Sequence, residues 1–133
     1  MDYRHLARIK IIQNLFSCEF AKNNSTLPYP DEETTKKIIT KKEEIDRLIK
    51  NYAPRFPLEK LAKIDLVILR WAIFELIFEK KLPTKVVIDE AVELAKELAG
   101  PRSFAFINGV LGSLVSDLIK NKKDDGQNKF NRA

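Results

Sequence analysis

The chain has 133 residues, 24 of them basic and 19 acidic, a net charge of +5, and only 4 Gly. That length fits one domain whose core hides roughly two-thirds of the unfolded chain's surface. The single Cys, Cys18, excludes an intrachain disulfide, and the one Cys and one His together are too few for a zinc site.

Tyr3 to Ala21 has apolar residues at helical spacing: Leu6, Ile9, Ile12, Phe16 and Phe20. Lys22 to Pro30, with two prolines, is expected to be an exposed loop. Asp31 to Asn51 is a second helical segment. Its acids Asp31, Glu32 and Glu33 suit a helix N-terminus, and Ile38, Ile45, Leu48, Ile49 and Tyr52 form its inner side. Leu58 to Lys80 is apolar on most sides, the mark of a central helix, with a join near Lys63. Thr84 is expected to cap a helix to Leu98 with Val87, Ala91, Leu94, Ala95 and Leu98 inside. Gly100-Pro101 stops it, and Ser103 is expected to cap a last helix to Lys120. The fold class is all-α: one helical domain over residues 1–120, then a polar tail, 121–133, expected to be disordered because it has too little apolar surface to offset its ordering entropy.

The charge is uneven: +2 over residues 1–22, +1 over 23–56, −1 over 57–100 and +3 over 101–133. Basic ends attract phosphate, and they also keep a protein in solution; charge alone leaves both readings open. The start of the chain lacks an apolar signal core, and Arg70 and Glu75 interrupt the longest apolar blocks. No membrane span is expected, and a cytoplasmic, reducing location is.

Chemistry-bearing patterns are few. No Gly-rich phosphate loop, nucleophilic triad or cofactor motif is present in the sequence, so no catalysis, cofactor or metal is expected. Arg4, His5 and Arg8 lie on one side of the first helical turn, a cluster that suits the phosphates of a single strand or is ordinary surface charge. Phe104 and Phe106 follow Arg102. One ring should face the core and the other could stack an unpaired base, or both are core. Gly109 is expected to admit a neighbouring helix and Asn108 to satisfy a buried polar group. Trp71, Phe74 and Phe78 are expected in the core, and Glu90 as a buried acceptor tying helices together.

One longer pattern stands out: Leu69-Arg70, Glu75-Leu76, Pro83 with Lys85-Val86, Glu90-Ala91, Glu93-Leu94-Ala95-Lys96, and Phe106 with Asn108-Gly109-Val110-Leu111. It resembles the signature of the NusB family of transcription antitermination factors, with a weaker echo in Ala7-Arg8 and Gln13-Asn14-Leu15-Phe16. The resemblance implies an all-helical bundle of about seven helices in two subdomains. It implies binding of boxA single-stranded RNA in ribosomal RNA transcripts together with NusE, a small-subunit ribosomal protein, so that RNA polymerase reads through terminators in an antitermination complex. Carried onto this chain, RNA contacts fall to Arg4, His5, Arg8, Arg102 and Phe106, and NusE contacts to Phe16, Glu59 and Asp65. Phe16 stands where the family usually has Tyr, and Arg102 where some relatives carry an acid. Some family members pair with themselves, so a homodimer stays open. The alternative is a helical protein-interaction module without direct RNA binding. NusB-like domains also precede RNA methyltransferase domains, but nothing follows residue 133, and a free-standing factor is expected.

Overall fold

Every residue from Asp65 to Glu75 is buried, so this segment must be enclosed on all sides. A computed structural model, which describes residues 2–20 and 26–131 with side chains to residue 121, encloses it with helices. They are α1 (Tyr3–Cys18), α2 (Glu33–Thr40), α3 (Lys42–Tyr52), α4 (Lys63–Ile73), α5 (Thr84–Leu98) and α6 (Pro101–Asn131). A short 3₁₀ turn, Leu58–Lys60, precedes α4, and a π-helical segment, Phe74–Glu79, continues it. The all-α class holds, with no strand among the described residues, and six α-helices stand where about seven were expected.

The extra break is at Lys41. Its N–H bonds back to Ile38 O (3.0 Å), closing α2, and its carbonyl accepts from Ile45 N–H (3.0 Å), opening α3. No Gly or Pro marks this joint, so residue type alone gives no signal of it. The join near Lys63 is real, because Leu61 and Ala62 are extended and α4 restarts after them. Thr84 and Ser103 do not cap: α5 and α6 begin at Thr84 and Pro101, with Ser103 already inside the helix. Proline costs nothing at a first helical position, where its missing N–H has no partner to lose. The backbone of α6 is helical to Asn131. Most of the tail expected to be disordered has side chains outside the described residues, and residues 21–25, the expected end of the first helix and start of the loop, lie outside the described residues altogether.

The inner face of α1 is rotated from the expected stripe. Ile11, Ile12 and Leu15 are buried, whereas Phe16 and Phe20 are exposed. A buried polar residue lies on this rotated face. Asn14 is fully enclosed; its Nδ2 donates to Tyr29 O and Thr35 Oγ1 (both 2.9 Å), and its Oδ1 accepts from Tyr29 N–H (2.8 Å). Thr35 in turn donates through its N–H and hydroxyl to Glu32, which caps α2. With every polar atom partnered, burial of the amide costs little, and the network fixes α1 against α2.

Around α4 the core is continuous: Ile38, then Ile45 and Ile49 from α3, Val87, Ala91, Leu94 and Ala95 from α5, and Ile107, Val110, Leu111 and Leu114 from α6. Trp71 lies in it, and Phe74 stacks on the half-buried Phe78 at 6.2 Å. Residues Pro101–Asn121 of α6 have the length and apolar content of a membrane-crossing helix, against the expectation that no segment would; the inner residues just named pack in this core.

One ion cluster crosses the bundle. Arg70 of α4 donates through Nε to Asp46 Oδ1 (2.9 Å) and through Nη2 to Asp46 Oδ2 (3.1 Å), and through Nη1 to Glu19. Burial opposes the guanidinium charge, and the hydrogen bonds to Asp46 and Glu19 outweigh it, so Arg70 stays ionised. Removing one partner of such a group leaves buried charge uncompensated. Arg70→Met should therefore lose about 3 kcal/mol in urea unfolding. A loss under about 1 kcal/mol, the range of a surface ion pair, would refute that role.

Candidate nucleic-acid and partner interface

Asp2 starts α1 by accepting the Arg4 N–H (2.9 Å), and this cap sets the direction of the first-turn side chains. Arg4 is exposed. Arg8, one turn on, is largely covered: its guanidinium lies 5.8 Å from the Trp71 ring centroid and 3.5 Å from Glu90 Oε2. Arg4 and Arg8 open onto a cleft of about 320 Å³ that also takes in Thr34, Lys37, Glu75, Glu79 and Lys81. Lys81 and Lys37 pair with Glu79, at 3.0 and 3.8 Å. Burial, and then Glu79, hold the Glu75 carboxyl above its ordinary range. The result is a cleft with four cations, Arg4, Arg8, Lys37 and Lys81, around two carboxylates, suited to anions near the Arg side.

His5 does not join that mouth. It turns to α5, where its two ring nitrogens each meet a carboxylate, Glu90 and Glu97, at 2.5 Å. Hydrogen bonds to Glu90, then Glu97, raise its pKa from the ordinary 6.5. Glu90 thereby ties α1 to α5 as expected, although it is half-buried rather than buried. The first-turn cluster is thus divided: Arg4 faces solvent, Arg8 is shared with Trp71 and Glu90, and His5 is turned to the acids.

At the start of α6, Arg102 is exposed. Phe104 and Phe106 are both half-buried, so neither ring is fully presented. Lys96 Nζ lies 5.2 Å from the Phe104 ring centroid, and Phe106 meets Phe56 edge-on at 5.8 Å. Phe56, half exposed, is an aromatic the sequence reading passed over; its place between Arg55 and Pro57, in a break between helices, was the available signal. No hydrogen bond, ion pair or ring contact among the described residues joins Arg102 or Phe106 to Arg4 or Arg8. Asn108 and Gly109 also differ from expectation. Both are exposed, and a Cβ on Gly109 would meet nothing within 4 Å, so no neighbouring helix demands the glycine.

A second surface is apolar. Ile12, Phe16, Phe20, Pro28, Ile64 and Leu98 line a groove of about 790 Å³. Phe16 and Phe20 pack edge-on at 4.9 Å, and Lys63 Nζ lies 5.3 Å from the Phe20 ring centroid. Glu59 is exposed on the 3₁₀ turn that precedes α4. Asp65, expected on the same docking flank, is instead 8% exposed in the first turn of α4, and its buried Oδ1 has no hydrogen-bond partner among the described residues.

Two outcomes follow from this geometry. Gly109→Ala should raise stability by about 0.5–1 kcal/mol in chemical unfolding, because the site is helical, exposed and open. A loss of stability would mean that the position is crowded after all. His5 has a raised folded pKa, so its contribution is complete below the ordinary 6.5 and is lost as pH rises through the folded value. Thermal unfolding of the wild type should fall over that window, and His5→Gln should flatten it; an unchanged profile in the variant would contradict the clamp.

A sequence profile of the NusB family matches residues 31–116. The transcription antitermination protein NusB of Clostridium botulinum (strain Kyoto, type A2) is 49% identical over 80 residues, 60% of this chain and 56% of that protein. The chain thus spans little more than half the length of that curated relative. The NusB of Caldicellulosiruptor saccharolyticus is 38% identical over 94 residues, 68% of this chain and 72% of its own length. Among solved structures, T. maritima NusB superposes with a TM-score of 0.74 at 30% identity, covering 86% of this chain and 92% of that one. A chain in the crystal structure of a plectonemic RNA supercoil gives 0.72 at 24% identity, covering 90% and 98%, a likeness of fold.

Proposed function

Because the chain belongs to the NusB family, we propose that it is a non-enzymatic, cytoplasmic transcription antitermination factor that binds boxA-type single-stranded RNA together with NusE. In this reading the RNA phosphates lie along Arg4 and Arg8, with Arg102 adding charge at the start of α6 and Phe106, backed by Phe56, offering an aromatic edge to an unpaired base. NusE docks on the apolar groove around Phe16, with Glu59, exposed on the turn before α4, as a further contact. The complex then joins RNA polymerase and favours read-through.

The observation that carries the RNA half is the cleft that brings Arg4 and Arg8 together beside Lys37 and Lys81. Backbone phosphates dominate the affinity of such contacts and make it fall with salt. The observation behind the partner half is the exposure of Phe16 and Phe20 in one groove, since an exposed apolar patch marks an interaction site. The alternative, a module that binds protein alone, draws on that same groove and on the neutralisation of Arg8 by Glu90.

Gel shift with boxA RNA separates the two. The free protein should bind weakly and added NusE should tighten it, and Arg4→Glu with Arg8→Glu should weaken binding about tenfold or more at low salt. RNA affinity that ignores both the Arg substitutions and NusE would favour the protein-only module.

A further inference from the structure

Between the first turn of α1 and the acidic flank of α5 stands the only histidine in the sequence. Its Nδ1 is 2.5 Å from Glu90 Oε1 and its Nε2 is 2.5 Å from Glu97 Oε2. A neutral imidazole has one donor and one acceptor, so only the imidazolium satisfies both carboxylates. Among the described residues the charged groups around it are Asp2 at the cap of α1, Arg8 beyond Glu90, and Glu90, Glu93 and Glu97 of α5, with Lys96 of α5 at 3.7 Å from Glu93. With His5 protonated, three cations face four acids. Without that proton, two cations face four acids, and Glu90 draws more fully on Arg8 at 3.5 Å. The carboxylates sit at opposite edges of the ring, so a single metal ion cannot take the place of the proton.

We infer that His5 is a positioning residue for the RNA face: its proton holds the first turn of α1 on Glu90 and Glu97 and keeps Glu90 from neutralising Arg8 more fully, so affinity for single-stranded RNA falls as pH rises. This rests on the proposal that Arg4 and Arg8 hold RNA phosphates. It departs from the expectation that His5 itself touches RNA, because both of its ring nitrogens are already engaged. The direction follows from linkage. Hydrogen bonds to Glu90 and Glu97 raise the folded pKa above 6.5, and phosphate bound nearby favours the charged ring further, so RNA and the proton bind with mutual reinforcement.

The test pairs two measurements on the full chain between about pH 6 and about pH 8.5. The first is an NMR titration of the lone imidazole, free and with a short unstructured oligoribonucleotide. It should titrate above 6.5 when free and higher still with RNA. The second is RNA affinity by fluorescence anisotropy. Wild-type Kd should rise by at most about tenfold per pH unit, the limit for one linked proton. His5→Gln should remove that rise, and Glu97→Gln should move it to lower pH. Glu75→Gln, across the Arg8 cleft, should leave it in place, which separates His5 from the nearby carboxyl that burial holds above its ordinary value. A free imidazole at or below 6.5, or His5→Gln keeping the wild-type pH profile, overturns the inference while RNA binding stands. Absence of RNA binding at every pH overturns the functional proposal and the inference together, with the free-protein NMR titration still reporting on the clamp by itself.

Discussion

The constraint that organises this molecule is the need to enclose α4. Eleven successive residues, Asp65 to Glu75, are withdrawn from water, and they include an Arg and two acids. A helix with no solvent face needs neighbours all round, and α1, α3, α5 and α6 supply them. The charged residues in it dictate which neighbours. Arg70 draws Asp46 from α3 and Glu19 from the end of α1, so the polar cost of burying the guanidinium is met by ligands from two other elements. Packing and charge pairing thereby fix the same arrangement.

The surfaces follow from that arrangement. Once Ile11, Ile12 and Leu15 face α4 and Asn14 is tied to Thr35 and Tyr29, the rest of α1 has no freedom left. Arg4 must point to solvent, Arg8 must lie over Trp71, His5 must meet α5, and Phe16 and Phe20 must line the outer groove. A cationic edge and an apolar groove on one helix are what an adaptor between a nucleic acid and a protein requires. The same helix presents both, so a change in how α1 sits on α5 would reach both.

Much of this was legible in the residues. The spacing of Val87, Ala91, Leu94 and Ala95, and of Ile107, Val110, Leu111 and Leu114, located two core faces, although the α6 stripe read from spacing ran on to Leu118, which is half-buried, and Ile119, which is exposed; the density of apolar residues from Leu66 to Phe74 marked the centre. What was hidden was polar. Periodicity counts apolar residues, so it drew the α1 stripe through Phe16 and Phe20 and missed Asn14, whose burial depends on partners 15 and 21 residues away. The same blindness hid the turning of His5 toward Glu90 and Glu97, 85 and 92 residues distant. Asn108 and Gly109 were assigned to packing because glycine inside a helix invites that reason, yet both face solvent. An exposed helical glycine with open space around it carries a cost that packing does not recover, which moves attention to that outer face of α6.

The central claim is that the first turns of α1 and the start of α6 receive one RNA strand while the Phe16 groove is kept for protein. Backbone amide chemical-shift mapping during titration with single-stranded boxA RNA tests it most directly. The account predicts shifts concentrated at Arg4 to Arg8 and at Arg102 to Gly109, with Phe16, Phe20 and Leu98 silent until NusE is added. Shifts centred on that groove with RNA alone, or absent from the first turns of α1, would contradict it.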